Sequence, residues 1–177
     1  MRKDCYISAV TIPPASTPSD DPTRSSALRP LKLLLDAMDD DIARLYAQRG
    51  VAGVRPRFSM TLIRLHHLGP LTIRQLAGEV EVTHSAMSQT ITAMRREGLV
   101  QSSPGTDART RTVALTDKGR AQVPFLEAEW RATEAAVAEL ETEVPYPLTR
   151  VVADLAAALE RRSFLDRITQ HLPKAGN

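Results

Sequence analysis

The sequence is poor in cysteine and in aromatic residues, and it has no long apolar run. Its single cysteine, Cys5, excludes a disulfide within the chain and is typical of proteins from a reducing cytoplasm. Only 4% of the residues are Phe, Trp or Tyr, so we expect a core of aliphatic side chains. No stretch approaches the roughly 18 apolar residues of a membrane span, and no apolar segment of a signal peptide follows the basic start. A single cytoplasmic domain is therefore expected.

Patterns that carry catalysis or bind metals are also missing. We find no nucleophile with a base at usable spacing, no Gly-rich phosphate loop and no metal-ligand spacing. The adjacent His66 and His67 are expected on different faces of a helix, where they would not share one ion. The acidic run 39–41 is interpreted as a solvated surface. We predict no metal, no cofactor and no enzyme; an enzyme would need these histidines and aspartates in one cleft.

The charges are unevenly distributed along the chain. Residues 72–120 hold seven Lys and Arg against five Asp and Glu, whereas residues 121–170 hold five against nine. A mildly basic middle and an acidic C-terminal part favour a central module that binds a polyanion. The signal is weak by itself.

The composition divides the chain into a folded domain and two tails. Residues 1–28 are rich in Pro, Ser, Thr and Asp and are predicted to be disordered, because they cannot bury enough apolar area to offset chain entropy. Residues 171–177 form a second tail. The domain between them, 29–170, begins with an amphipathic helix over 30–49. A second helix opens at Pro56 and stops at Gly69.

The segment from Thr72 to Leu115 contains the informative pattern. Thr72 and Gln75 form a capping box in front of a short helix, and Thr83 can cap another helix that runs to Glu97. Strands are predicted over 99–103 and 111–115, joined by a turn. Helix, turn, helix and hairpin form a winged helix-turn-helix, in which the second helix enters the major groove of DNA.

Beyond the wing the chain is predicted to be helical again. Thr116 caps a long helix in which Pro124 should introduce a kink or remove a hydrogen bond. The Pro-Tyr-Pro sequence at 145–147 breaks the chain. A last helix follows from Leu148 and reaches Ile168 after a possible bend.

The second helix of the pair has an outer surface suited to base edges. Met87, Ile91 and Met94 are predicted to be buried, and the opposite side is short, polar and uncharged. An ordinary exposed helix carries Glu and Lys pairs, yet positions 83–94 hold no charged residue. The predicted DNA-binding residues are Thr72, His84, Ser85, Ser88, Gln89, Thr92, Arg95, Arg96, Asp107, Arg109 and Arg111.

The charged members of this set have different expected roles. Arg95 and Arg96 are expected to meet phosphates. An arginine at the hairpin tip, Arg109 or Arg111, can insert into a narrow minor groove, where the negative potential is strongest. Asp107 is expected to orient an arginine or stabilise the turn rather than to touch DNA.

These residues resemble the MarR family of transcriptional regulators. The resemblance is carried by Leu76-Ala77, by the run from Thr83 to Val100, and by Asp107-Ala108-Arg109 followed by Leu115-Thr116 and Gly119. It implies an obligate homodimer that binds a pseudo-palindromic operator. It also implies a DNA-binding core over 56–120 and dimerisation helices over 30–49 and 121–170. Many members of the family are repressors that a small ligand releases from DNA.

The resemblance leaves the effector and the direction of regulation open. A small aromatic effector is possible, and Phe58, His66 and Trp130 are candidates to line its cleft, although packing is the simpler role for Phe58 and Trp130. No cysteine lies on the first helix, so peroxide sensing by that route is not predicted. The sequence does not separate repressor from activator. A winged-helix module for protein interaction, or a DNA-packaging protein without an effector, is the remaining alternative.

Overall fold

The computed structural model describes residues 21–104 and 111–173. The helices are α1 (Arg29–Gln48), α2 (Ser59–Leu68), α3 (Ile73–Glu79), α4 (His84–Arg96), α5 (Asp117–Thr142), α6 (Leu148–Arg161) and α7 (Phe164–His171). Two strands, β1 (Val100–Pro104) and β2 (Arg111–Leu115), pair as an antiparallel hairpin between α4 and α5. The chain divides into two compact units, Met1–Glu127 and Ala128–Asn177. None of the described helices is both long and apolar enough to cross a membrane.

The first unit is built around an aliphatic core, as the composition predicts. Its members come from the end of α1, from α2 to α4, from both strands and from the start of α5. The fully buried large side chains of the core are Tyr46, Phe58, Leu62, Leu76, Met87, Met94, Leu99, Val123 and Leu126. Only two of these are aromatic, and Tyr46 also makes an edge-to-face contact with Phe125, with ring centroids 5.7 Å apart.

The predicted ends of the early helices are largely confirmed. Gly69 follows α2 with φ of 77°, and Gly98 follows α4 with φ of 70°, a conformation that glycine adopts without strain. The second helix differs at its start, because Pro56–Phe58 forms a 3-10 turn before α2 begins. A further 3-10 turn, Pro22–Arg24, lies inside the segment predicted as a tail; residues 1–20 of that segment lie outside the described residues.

The second unit contains the end of α5 and all of α6 and α7. α5 continues through Pro124, whose missing N–H removes one hydrogen bond of the helix, as predicted. The last predicted helix is instead divided into α6 and α7. The division occurs because the Ser163 hydroxyl accepts from the Asp166 N–H at 3.1 Å and so starts a new helix.

Candidate nucleic-acid interface

The predicted capping box positions α3. The Thr72 hydroxyl accepts from the Gln75 N–H at 3.2 Å, and the Gln75 side chain accepts from the Thr72 N–H at 2.9 Å. Thr72 is half-buried and uses its hydroxyl within this box, where it also donates to Gln75 Oε1. The structure thus gives Thr72 a role in starting α3, while its direct contact with DNA stays a prediction.

The helix α4 is fixed at its start and along one side. Thr83 accepts from the Ala86 N–H at 3.2 Å, which satisfies one of the free donors of the first turn. Met87, Ile91 and Met94 are all buried, as predicted from their spacing. Because these three side chains are buried, the rotation of α4 about its own axis is fixed and its opposite side lies at the surface.

The outer face of α4 consists of His84, Ser85, Ser88, Gln89 and Thr92. Four of these residues are exposed, and Ser88 is half-buried. Thr92 Oγ1 donates to the Ser88 carbonyl at 2.9 Å, within the helix itself. The outer face therefore presents a surface without charge at the position where the sequence predicts contacts with base edges.

Exposed arginines lie at the end of α4 and at the start of β2. Arg95 and Arg96 are exposed in the last turn of α4, and Arg111 is exposed at the first position of β2. These positions suit contacts with phosphates, which remain predictions. Asp107 and Arg109, the other predicted wing residues, lie outside the described residues.

The base of the hairpin is joined to the chain segment before α3. Leu71 and Val113 exchange two backbone hydrogen bonds, of 3.1 Å from the Leu71 N–H and 2.7 Å from the Val113 N–H. Within the hairpin, Val100 is opposite Leu115 and Pro104 is opposite Arg111. The strand register is thereby set by three segments, whereas the sequence predicts two. The structure also places β1 one residue later in the chain than the sequence predicts.

The end of α4 is held by the start of α5. The Thr116 hydroxyl donates to the Gly98 carbonyl at 2.6 Å and accepts from the Gly119 N–H at 3.1 Å. The Thr116 N–H donates to the Leu99 carbonyl at 3.1 Å. Thr116 therefore caps α5, as predicted, and also binds carbonyls that follow α4, which the sequence does not predict.

Lys118 and Gly119 complete this arrangement. We call it the clasp: Thr116, Lys118 and Gly119 in contact with the backbone carbonyls of residues 97–99. Lys118 Nζ donates to the Glu97 carbonyl at 2.7 Å. Gly119 approaches the Leu99 carbonyl so closely that a Cβ atom at Gly119 would overlap the oxygen. The clasp satisfies carbonyls left free at the end of α4 and fixes where the hairpin leaves it.

The three candidate ligand-binding residues have different environments. Phe58 is fully buried in the core of the first unit, with the guanidinium carbons of Arg55 and Arg57 at 5.8 and 5.5 Å from its ring centroid. This supports the packing role of Phe58. Trp130 is half-buried and lies in the second unit, whereas His66 is exposed on α2.

The two adjacent histidines differ from expectation. Their rings are not directed to different faces, because the centroids lie 5.3 Å apart in an edge-to-face contact. His67 Nε2 also lies 2.6 Å from Glu127 Oε1. In the described part of the chain, no group of three His, Cys, Asp or Glu side chains is placed to hold a metal ion.

The middle of the chain resembles one known protein family in sequence. Residues 58–110 match the model of the MarR family. The match runs from the residue before α2 to the residue before β2, and it confirms the resemblance predicted from the motifs. No curated protein matches the chain by sequence.

Several solved structures share this fold. The M. tuberculosis transcriptional regulator MosR in complex with DNA has 24% identity and a TM-score of 0.54, with 77% of this chain and 98% of that chain covered. The S. aureus MepR–DNA complex has 16% identity and a TM-score of 0.57, with 77% and 96% covered. The transcriptional regulator SlyA has 14% identity and a TM-score of 0.56, with 78% and 95% covered. The predicted fold, mainly helical with a hairpin wing, is confirmed.

Proposed function

We propose that the protein is a sequence-specific DNA-binding transcriptional regulator that binds a pseudo-palindromic operator as a homodimer. It acts in the cytoplasm, at the nucleoid. It represses transcription until a small, aromatic effector releases it from DNA. The regulatory direction and the effector are inferred from the MarR-family resemblance.

The outer face of α4 is the observation that carries the proposal. Its exposed side chains are polar and uncharged, and buried Met87 and Met94 hold that face outward. Exposed Arg95 and Arg96 follow at the end of the helix. This arrangement fits a helix whose middle contacts base edges and whose end contacts phosphates. The structures of MosR and MepR, both solved as complexes with DNA, support the same use of the fold.

Exposed apolar side chains support the homodimer. On α6 they recur at helical spacing, as Leu148, Val151, Val152, Leu155 and Leu159. α7 continues the pattern with Phe164, Leu165 and Ile168, and α1 exposes Leu31 and Leu35. A second copy is the natural partner for these faces, since a two-fold pair is what binds two half-sites; DNA requires its two α4 helices to lie about 34 Å apart, one turn of the duplex.

Footprinting on the DNA upstream of the protein's own coding region tests the proposal. We expect a protected pseudo-palindrome with two half-sites, released by competition with the same sequence but not by random duplex. Footprints repeated with a panel of aromatic acids test effector release. A protein that binds only other proteins would show no protection and no dependence of binding on salt.

The salt dependence separates phosphate contacts from other roles of basic residues. Replacing Arg95 or Arg96 with Ala should reduce the slope of log K against log salt by about 0.9 for each phosphate that is no longer neutralised. Lys118→Met is the matched control, because the Lys118 ammonium group donates to the Glu97 carbonyl and its removal should leave the slope unchanged.

Arg109→Ala should weaken binding substantially. Normal binding by Arg109→Ala at physiological salt would contradict the proposed wing contact.

A further inference from the structure

The outer face of α4 lacks the side chains that most often bind guanine. Arginine and lysine make the commonest specific contact, with guanine O6 and N7, but positions 83–94 have neither residue. The polar side chains of this segment are also not equally available. Thr83 caps the helix and Ser88 is half-buried. Base contacts made by the middle of α4 therefore depend on the side chains that remain exposed there, Gln89 and Thr92.

Gln89 is the most versatile of these groups. It is exposed in the middle of α4, and no hydrogen bond engages its amide within the described residues. A glutamine amide has one acceptor oxygen and two N–H donors on one rigid plane. That pattern matches adenine, whose N7 accepts and whose N6 donates in the major groove.

Thr92 lies one turn further along the same face. Residues three apart on a helix are neighbours, with Cβ atoms about 5–6 Å apart. The Thr92 hydroxyl donates its proton to the Ser88 carbonyl at 2.9 Å, so the proton is occupied within the helix. The hydroxyl therefore cannot donate to a base while this bond is made, and the γ-methyl group offers the side chain an apolar contact. A threonine methyl in the major groove packs against the 5-methyl group of thymine.

We propose that α4 selects A·T pairs in each half-site, with Gln89 binding adenine and the Thr92 methyl group contacting the thymine of the same or the next pair. This inference rests on the proposed function. It adds a base preference that comes from Gln89 and Thr92, in a segment, 83–94, that has no Lys or Arg to bind guanine.

The experiment uses modified bases in the half-site that footprinting identifies. Deoxyuridine at one thymine removes only the 5-methyl group, and 7-deazaadenine at one adenine removes only the N7 acceptor. For wild-type protein, deoxyuridine at the contacted position should weaken binding about fourfold, the value of one buried methyl group. The 7-deazaadenine substitution should weaken it by about 5-fold or more.

Two variants of Thr92 assign the effect to the methyl group. Thr92→Ser keeps the hydroxyl and loses the methyl group, so its affinity should no longer depend on deoxyuridine. Thr92→Val keeps the methyl group and should stay sensitive. Thr169→Ser is a matched control, because Thr169 makes the same hydrogen bond to the residue four positions earlier, at 2.9 Å, on α7. Gln89→Ala should abolish the response to 7-deazaadenine only.

The outcomes separate this inference from the proposed function. If no duplex sequence is preferred over random DNA, the proposed function fails. If an operator is bound specifically but no A·T position responds, the base assignment alone is overturned. The Thr92 assignment is also overturned if Thr92→Ser remains sensitive to deoxyuridine, or if Thr92→Val becomes insensitive to it.

Discussion

The two compact units differ in what they bury. In the first unit, the apolar side chains of α2, α4 and both strands converge on one core. In the second unit, α6 and α7 contain no buried residue, and their Leu, Val, Phe and Ile side chains are exposed. Both units have clear helical periodicity, so periodicity alone does not tell a core from an interface. The first unit is stabilised by its own packing, and in the proposed homodimer the second unit would be stabilised by the partner subunit.

The largest expected effect comes from replacing one leucine with alanine in each unit and comparing the losses of unfolding free energy. Leu62 in α2 is 0% exposed, whereas Leu155 in α6 is 57% exposed. Leu62→Ala should cost about 2–5 kcal/mol of unfolding free energy at every protein concentration, because it leaves a cavity. Leu155→Ala should cost an amount that depends on concentration, since we expect this side chain to pack between subunits. Urea unfolding over a range of concentrations checks both. A loss for Leu155→Ala that does not change with protein concentration would contradict packing of this side chain between subunits.

A substitution at Gly119 tests how closely the backbone is packed in the clasp. Gly119→Ala should destabilise the protein by about 1–3 kcal/mol, because the added methyl group meets the Leu99 carbonyl oxygen and backbone must move. Gly78→Ala is the matched control. Gly78 lies in α3 with open space around its Cβ position, so alanine there should add up to about 1 kcal/mol. Thermal unfolding compares the two, and a neutral Gly119→Ala would show that the clasp yields easily.

The hydroxyl of the clasp should have a smaller effect. Thr116→Val removes the group that accepts from the Gly119 N–H and donates to the Gly98 carbonyl. We expect a loss of about 0.5–2 kcal/mol in chemical denaturation. Thr116→Ser should retain most of the stability because it keeps the hydroxyl. Equal losses in the two variants would assign the effect to packing instead.

The smallest expected effect is a gain in unfolding free energy from a substitution in the turn between α3 and α4. Glu81 has φ of 56°, a left-handed conformation that is strained for glutamate and better tolerated by asparagine. Glu81→Asn should raise the unfolding free energy by up to about 1 kcal/mol. Glu79→Asn, at the last position of α3, is the control and should lower stability slightly, because asparagine is a poorer helix former. The reverse order in differential scanning calorimetry would contradict strain at Glu81.

Features that depend on nearby residues were predictable from the sequence. The capping box at Thr72, the cap at Thr83 and the glycine after α4 each involve residues within a few positions of one another. The buried stripe of α4 follows from the helical period, and the same period leaves its uncharged side outward. The part of the candidate site formed by α4 and by the start of the wing could therefore be predicted from the sequence pattern alone.

Features that depend on tertiary contacts were not predictable in this way. The Thr116 hydroxyl binds a carbonyl 18 positions earlier, and no local signal specifies that partner. The Leu71–Val113 bridge joins two segments separated by α3, α4 and β1. The side chain of Ser88 is half-buried although its type and spacing match its exposed neighbours. In each case the position of a distant segment decides the environment.

The bridge between Leu71 and Val113 has a consequence for solubility. A strand edge with free N–H and C=O groups can add a strand from another molecule, which is a common route to aggregation. At Val113, both outward-directed groups of β2 are already bonded to Leu71, with distances of 2.7 and 3.1 Å. Strand addition at the centre of this edge would first have to displace Leu71. If copies of the protein bind close together on DNA, as the proposed function allows, their hairpins should therefore not pair with one another at Val113.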